Sequence, residues 1–378
     1  MSAANALLLK QRSPSIMGTL ENTSMRHTFL AALACIAIGG SLSTSQAQAP
    51  ACAPSGGLTF ICGLQNPEDL VPIPDSRWLI SSGMAAGSGL HLIDTRGKNA
   101  SSLYAAGLSS VRADRTRYAS CPGPLDPKQA LLHGLSLRRG QTGRYTLYAT
   151  NHGGRESIEV FEIDGRGPRP LATWTGCVLM PEKLAANSVA VFSDGAIVAT
   201  VLTLPGKAFE DLFAGRNTGA VFLWTPGSAA FRMLEGTELP GNNGIDTSPD
   251  DQEFYVVSSG LKRIVAFSRA NPSTPLRFAQ LKEFAPDNVR WVGGRLIAAG
   301  MIDDEPSCGG PPRTREGIQC ARGYIASAID PKTMATTEIA RGPATPAFKG
   351  TATAIPVGDE LWLGSFNADR VAYRSLKP

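Results

Sequence analysis

The feature that most constrains the fold of this chain is a short pattern that recurs six times along it. Each copy is a cluster of turn-type residues followed by an apolar run of about five residues, the length of one β-strand. Successive runs lie 42 to 69 residues apart, measured between one apolar or aromatic marker in each run: Leu79, Tyr148, Ile197, Tyr255, Ile297 and Trp362. Repetition at this period indicates a series of similar β units.

A unit of about 55 residues has the size of one four-stranded blade of a β-propeller. A single blade cannot bury both of its faces, and radial packing against its neighbours does so. The 40 glycines and 27 prolines also favour many tight turns. We therefore predict an all-β fold: one six-bladed β-propeller at 50–378, with four-stranded blades around a central tunnel. A pair of β-sandwiches is the alternative. Short helices are expected only at 181–186 and 207–214.

The first 49 residues are predicted to be an upstream extension followed by a secretory signal peptide, with Met25 as the expected true start. An apolar segment at 29–39 precedes the small-residue sequence that ends at Ala49. That segment is shorter than the ~20 residues that a membrane-spanning helix needs, and no later run is long enough. We expect a mature protein without a transmembrane segment, secreted or periplasmic, cleaved after Ala47 or Ala49.

Six cysteines follow the signal peptide, and none of them forms a Cys-x-x-Cys pattern. An even number in an oxidising compartment favours disulfide bonds, although six cysteines allow 15 pairings. Nearness in the sequence favours three pairs: Cys308 with Cys320, Cys52 with Cys62, and Cys121 with Cys177. Free buried thiols are the alternative for some of them.

Charge and motifs narrow the range of functions. The chain has 36 basic and 32 acidic residues, a net charge of +4, which gives little support to nucleic acid as a partner. It contains no Gly-x-Ser-x-Gly elbow, P-loop, Rossmann fingerprint, His-Glu-x-x-His or EF-hand loop. Enzymes that depend on those motifs are disfavoured.

Oxygen-bearing side chains recur 9 to 12 residues before the marker in four of the repeats, within the expected innermost strand. They are Glu68, Asn187, Asn243, Asp287 and Asn288. Equivalent positions of a propeller face the common axis, so these side chains should meet at one end of the tunnel. Two carboxylates with several amide oxygens suit Ca²⁺, which accepts about 6 to 8 oxygen ligands. The alternative is that each of them satisfies a local turn.

Two histidines lie close to these donors in the predicted architecture. His133 precedes the marker Tyr148 by 15 residues, and His152 follows the same apolar strand, so it can lie behind His133. A neutral imidazole is an available base at pH 7. We predict that His133, assisted by His152, activates water, and we assign no role to His91.

In this order, the motifs resemble the superfamily of the paraoxonases and the senescence-marker-protein gluconolactonases, with strictosidine-synthase-like proteins as cousins. The matching segments are Asn66-Pro67-Glu68-Asp69-Leu70, His133-Gly134-Leu135-Ser136, Asn151-His152, Ala186-Asn187-Ser188-Val189-Ala190, Asn243-Gly244-Ile245 and Asp287-Asn288. The resemblance implies a six-bladed propeller with a catalytic calcium in its tunnel, which hydrolyses lactones and sometimes aryl esters. It places that calcium on the five oxygen donors above and makes His133 and His152 the catalytic pair.

The resemblance also implies a second, structural calcium, for which Asp69 and the carbonyl of Leu135 match. Ser188 stands where these enzymes have an aspartate, and no cysteine follows Cys320 to tie the chain ends together. The leading hypothesis is a calcium-dependent hydrolase of lactones or related esters. The alternatives are a non-catalytic propeller that binds a ligand or protein around a structural calcium, and a strictosidine-synthase-like condensing activity.

Overall fold

The computed structural model describes residues 52–108 and 110–377, and the predicted signal peptide lies outside them. Six antiparallel β-sheets are arranged as a six-bladed β-propeller, which confirms the predicted fold class. The β-sandwich alternative is wrong. All six marker residues lie in the second strand of a blade and are buried, because that strand packs between neighbouring blades.

In blades 1 to 5 the four main strands follow one another along the chain, with the innermost strand first. Blade 1 contains β2 (Leu70–Pro72), β3 (Trp78–Ser82), β4 (Leu90–Asp94) and β5 (Asn99–Tyr104). Blade 2 contains β7 (Leu132–Arg139), β8 (Arg144–Asn151), β9 (Ser157–Asp164) and β10 (Leu171–Leu179), with the short β6 (Ser110–Val111) parallel to β10. Blade 3 contains β11 (Val189–Val191), β12 (Ile197–Val201), β13 (Ala220–Trp224) and β14 (Arg232–Leu234).

Blades 4 to 6 complete the ring. Blade 4 contains β15 (Asn242–Thr247), β16 (Glu253–Ser258), β17 (Arg263–Ser268) and β18 (Pro275–Gln280). Blade 5 contains β19 (Phe284–Val292), β20 (Arg295–Ile302), β21 (Tyr324–Ile329) and β22 (Thr336–Gly342). Blade 6 contains β23 (Thr351–Val357), β24 (Glu360–Ser365), β25 (Arg370–Ser375) and, outermost, β1 (Thr59–Cys62).

Strands from the two ends of the described chain close the ring. β1 pairs antiparallel with β25, with Thr59 opposite Tyr373 and Cys62 opposite Arg370. Backbone hydrogen bonds therefore join the chain ends where the resemblance implied a disulfide. The three predicted disulfides are present, linking Cys52 to Cys62, Cys121 to Cys177, and Cys308 to Cys320.

The helices in the described part of the chain are three short 3₁₀ turns in the connections: η1 (Phe209–Ala214), η2 (Pro306–Cys308) and η3 (Gly317–Gln319). η1 lies within the helix predicted at 207–214. The helix predicted at 181–186 is wrong, because Lys183 has a φ of 67° and the chain turns there. Within residues 52–108 and 110–377, no helix has the length and apolar character that crossing a membrane requires.

Candidate metal centre and histidine pair

Bulges interrupt the innermost strands where predicted site residues lie. The pairing register shifts at Asp287 in β19, around Asn243 in β15 and around His133 in β7. The extra residue of a bulge is not part of the regular pleat, so its side chain points in a different direction from that of a regular strand residue. Three blades thus present site residues from irregular positions that a regular strand would not offer.

Glycines let the innermost strands of neighbouring blades approach closely. A Cβ atom on Gly134 would lie 2.8 Å from the carbonyl oxygen of Asn187, and one on Gly244 would lie 2.8 Å from that of Asp287. Any other residue would force the backbones apart at these points. Gly134 thereby holds its neighbour His133 beside blade 3.

Hydrogen bonds connect several predicted calcium ligands and leave two of their oxygens unpartnered. Asn288 donates from Nδ2 to Oε1 of Glu68 over 2.5 Å, and both side chains are buried. Asn243 donates from Nδ2 to Oγ of Ser259 over 3.1 Å. Among the described residues, Oε2 of Glu68 and Oδ1 of Asn243 are buried without any hydrogen-bond partner. Such unpartnered acceptors are costly unless a cation or water binds them.

The carboxylates of this group repel one another in a buried setting. Burial raises the pKa of Glu68 well above its ordinary value, and the charges of Asp69 and Asp287 raise it further. Burial also raises the pKa of Asp287 to about 7, which a hydrogen bond with Asn243 partly offsets. A bound cation would relieve this repulsion, since opposite charge favours the ionised carboxylates.

The chemistry of the donors fits calcium. No three His, Cys, Asp or Glu side chains gather into a metal-binding group within the described ranges. The group consists of two carboxylates and two amide side chains, and Oε2 of Glu68 and Oδ1 of Asn243 are its unpartnered acceptor oxygens. Carboxylate and amide oxygens are the ligands that calcium uses. The structure brings together Glu68, Asn243, Asp287 and Asn288.

Asn187 lies at the same end of the tunnel, but its side chain is not joined to this group. Its backbone N–H donates to the carbonyl of Thr200, and its carbonyl accepts from Oγ1 of Thr150. No hydrogen bond links its half-buried amide to the other predicted ligands in the described part of the chain. The hydroxyl of Thr200 in turn donates to the carbonyl of Asn243 over 2.5 Å. Asn187 therefore lies at the start of blade 3, next to Asn243 in blade 4.

The two predicted histidines are in direct contact beside the oxygen group. Nδ1 of His133 lies 3.1 Å from Nε2 of His152, and Nε2 of His133 lies 3.6 Å from Oε2 of Glu68. The His133 side chain is 12% exposed. Burial, followed by the neighbouring His152, lowers the pKa of His133 to about 3. His133 is therefore neutral at pH 7.

A third residue, Glu156, orients this pair. Its Oε2 lies 2.8 Å from Nδ1 of His152. An ionised carboxylate only accepts hydrogen bonds, so His152 donates from Nδ1 and accepts at Nε2. His133 must then donate from Nδ1, which leaves its Nε2 as a free acceptor facing Glu68. The chain of contacts thus assigns to His133 the tautomer that a base on the tunnel side requires.

Hydrogen bonds within the protein hold the residues predicted for a second calcium. The backbone N–H of Leu135 donates to Oδ2 of Asp69 over 2.7 Å. Oδ1 of Asp69 accepts from the N–H of Leu70 over 2.8 Å. The guanidinium of Arg290 also donates to Oδ2 of Asp69. Protein donors therefore occupy both carboxylate oxygens.

A cavity of about 240 Å³ opens beside the oxygen group and is lined by Asn243, Asp287 and Ser259 on that side. The rest of its wall is mainly apolar. The apolar lining residues include Leu202, Phe209, Leu212, Phe213, Met301, Pro311, Pro312, Ile318 and Phe366. They come from η1 and its approach, from β20, from the Cys308–Cys320 loop and from the turn after β24.

Sequence reasoning missed two charged residues of the site, and each left a signal. Glu156 lies four residues after His152, in the same tight connection between β8 and β9. Arg290 lies two residues after Asn288 in one strand, and such residues share a face of the sheet. If the side chain of Asn288 points into the tunnel, the side chain of Arg290 is therefore expected to point there too.

Residues 126–293 match the family described as the SMP-30/gluconolactonase/LRE-like region. This match confirms the resemblance to the gluconolactonase superfamily. The matched segment contains His133, His152, Asn243 and Asp287, whereas Glu68 precedes it. No curated protein matches the chain.

Solved structures similar to this chain include those of two proteins named for sugar-related activities and of one calcium-binding protein. One is the calcium-binding protein regucalcin from Agrobacterium tumefaciens, at 11% identity and a TM-score of 0.49, covering 83% of this chain and 92% of that one. A gluconolactonase-type structure has 13% identity and a TM-score of 0.46, covering 85% and 93%. A PQQ-bound aldose sugar dehydrogenase from Streptomyces coelicolor has 14% identity and a TM-score of 0.47, covering 85% and 99%. Because the identities are 11 to 14% and the TM-scores are below 0.5, these similarities carry no conclusion about function.

Proposed function

From the gluconolactonase-like match and the oxygen group around Glu68, we propose that this protein is a calcium-dependent hydrolase of lactones or related esters. The observation that carries the proposal is the contact of His133 with Glu68. A neutral imidazole nitrogen lies 3.6 Å from a buried carboxylate oxygen that has no hydrogen-bond partner. That pairing supports a base at Nε2 of His133 next to a cation bound by Glu68.

Glu68, Asn243, Asp287 and Asn288 would hold the calcium, with Asn187 as a further candidate from the neighbouring blade. When bound, the ion supplies a Lewis acid that polarises the carbonyl oxygen and stabilises the developing negative charge. Asp287 also faces the cavity, so the ligand group has a side open to a substrate.

The histidine pair moves the proton that hydrolysis releases. Nε2 of His133 accepts a proton from the attacking water, while Nδ1 of His133 passes its own proton to Nε2 of His152. His152 then carries the positive charge, which the carboxylate of Glu156 stabilises over 2.8 Å. The low pKa of His133 favours this onward transfer, because the buried ring holds a charge poorly.

The cavity favours substrates with an apolar part. Phe209, Phe213 and Phe366 line it, together with aliphatic side chains. Its polar lining residues are Asn243, Ser259 and Asp287 on the side of the oxygen group, and Lys262 and Asp303, which form an ion pair. Burial of an alkyl or aryl group there is favourable, at about 0.8 kcal/mol per methylene. We therefore expect lactones with an alkyl or aryl substituent to be better substrates than polyhydroxylated sugar lactones.

The compartment is part of the proposal. Three disulfides are typical of proteins that fold in an oxidising environment. Together with the signal peptide predicted at the start of the chain, they support a secreted or periplasmic protein.

A panel of alkyl-substituted lactones, sugar lactones and aryl esters tests the proposal. The wild-type protein should hydrolyse the alkyl-substituted lactones, and His133→Gln should lose roughly 100-fold or more in kcat. His91→Gln is the matched control, since His91 lies in β4 and outside the site. A calcium-loaded protein that turns over nothing on the panel would contradict the proposal and favour a non-catalytic binding propeller.

A further inference from the structure

The ion pair between Arg290 and Asp69 lies deep in the tunnel, next to the proposed calcium group. The side chains of Arg290 and Asp69 are 7% and 0% exposed. Nη2 of Arg290 donates to Oδ2 of Asp69. Its Nη1 donates to the carbonyls of Ile245, at 3.2 Å, and Val289, at 3.0 Å. One side chain thus links the innermost strands of blades 4 and 5 to the residue that precedes blade 1.

The surroundings of Arg290 are strongly acidic. Its guanidinium interacts electrostatically with Asp69, Asp246 and Glu68. Asp246 accepts hydrogen bonds from the backbone N–H groups of Thr247 and Trp291. Arg290 therefore supplies positive charge where several carboxylates converge.

Both oxygens of Asp69 already accept hydrogen bonds from protein donors. Its Oδ1 accepts from Leu70, and its Oδ2 accepts from Leu135 and Arg290. A dication at Asp69 would have to displace these donors and sit beside a guanidinium, at a large electrostatic cost. The nearby Ser188 hydroxyl is neutral and adds no negative charge for such an ion.

We propose that Arg290 is a built-in cation that occupies the place of a second divalent ion, so that the protein binds one dication and not two. Arg290 neutralises Asp69 permanently and without metal. It also acts as a positioning residue, because the fixed Asp69 directly follows Glu68 in the chain. The count of one ion rests on the proposed calcium site.

Calcium stoichiometry of the metal-stripped full protein tests this inference, by calorimetric titration and by elemental analysis of the bound ion. Wild type should bind one Ca²⁺ per chain. Arg290→Met leaves Asp69 buried and unpaired, so it should bind a second Ca²⁺ and, in the calcium-free state, melt roughly 5 to 10 °C lower. Two ions bound to wild type would overturn the inference, as would one ion and an unchanged melting temperature in Arg290→Met.

The double variant Asp69→Asn with Arg290→Met is the matched control, because it removes both charges together. It should bind one Ca²⁺ and melt closer to wild type than Arg290→Met does. If Arg290→Met does not fold, the wild-type stoichiometry decides: one bound ion supports the inference, and two overturn it.

The two proposals fail in different ways. A wild-type protein without bound calcium would contradict the proposed calcium site. The pairing of Arg290 with Asp69 would still be tested, because the melting temperatures of Arg290→Met, of Asp69→Asn alone and of the double variant measure it without metal. The inference would be overturned if the double variant lost as much in melting temperature as the two single variants lose together.

Discussion

Nε2 of His133 lies 3.6 Å from Oε2 of Glu68, and this carboxylate oxygen has no hydrogen-bond partner among the described residues. Glu68 directly precedes blade 1 and His133 lies in blade 2, so the packing of these two neighbouring blades brings the atoms together. A proton acceptor thus lies beside an unpartnered carboxylate oxygen, which a cation or water would satisfy. The predictions below follow from this arrangement and from the cavity beside it.

Glu156 should control the rate through the charge that His152 acquires. Glu156→Gln keeps a hydrogen-bond acceptor for Nδ1 of His152 but removes the negative charge, so kcat should fall roughly 10-fold. Glu156→Ala removes both and should cost roughly 100-fold. Steady-state rates and their pH profiles on an alkyl-substituted lactone measure this. Equal rates in the wild type and both variants would exclude Glu156 from the proton path.

Asp287 should make the calcium-free protein less stable as the pH rises. Burial raises the pKa of its carboxyl to about 7, above the ~3.9 of an unfolded chain, so the folded state binds the proton more tightly. That stabilisation is complete below about pH 4 and is lost as the pH passes 7. Between pH 6 and pH 8 the loss is on the order of 1 kcal/mol, and the raised pKa of Glu68 acts in the same direction.

Melting curves in a chelator at pH 6 and pH 8 check this, and Asp287→Asn should reduce the difference between them. Saturating calcium should reverse the trend, because the ion binds the ionised carboxylates. A calcium-free protein that is more stable at pH 8 would contradict the account of Asp287.

Phe213 should contribute to substrate selection. It lines the apolar side of the cavity, so Phe213→Ala should raise KM roughly 10-fold for an alkyl-substituted lactone and leave an unsubstituted lactone nearly unaffected. Phe278→Ala is the control, since Phe278 is 47% exposed on the outer strand β18. If both lactones respond alike, the apolar wall does not hold the substituent.

The Cys308–Cys320 disulfide should matter for both stability and KM. It closes a loop with a sequence separation of 12, and Pro311, Pro312 and Ile318 of this loop line the cavity. Replacing both cysteines by alanine should cost about 3 kcal/mol of stability and raise KM for the alkyl-substituted lactone. The matched control replaces Cys52 and Cys62, with a separation of 10, and should lower stability with KM unchanged. Equal KM changes in both double variants would remove the loop from substrate binding.

Much of the fold could be predicted because a propeller repeats its burial pattern. Leu79 and Trp362 each mark a second strand that packs between neighbouring blades, and such burial requires an apolar run at a regular period. The prediction of a helix at 181–186 was wrong because Lys183 has a left-handed backbone conformation, which interrupts a helix. Helix propensity does not indicate such a turn.

The site was only partly predictable, since its contacts cross between blades. The phase of Glu68 and Asp287 in the repeat led to their placement near the axis. Arg290 shows the limit: its partner Asp69 lies 221 residues away, and only the closed ring shows that a guanidinium, not an empty site, faces that carboxylate. The cavity wall depends on loops whose paths no repeat describes.

The central claim is that one calcium on this oxygen group is needed for hydrolysis. The most direct measurement follows lactone hydrolysis after removal of metal with a chelator and during stepwise return of calcium, with bound calcium measured in the same samples. The account predicts no turnover in the metal-free protein and full recovery as one ion binds per chain. Undiminished turnover by protein that contains no metal would contradict it.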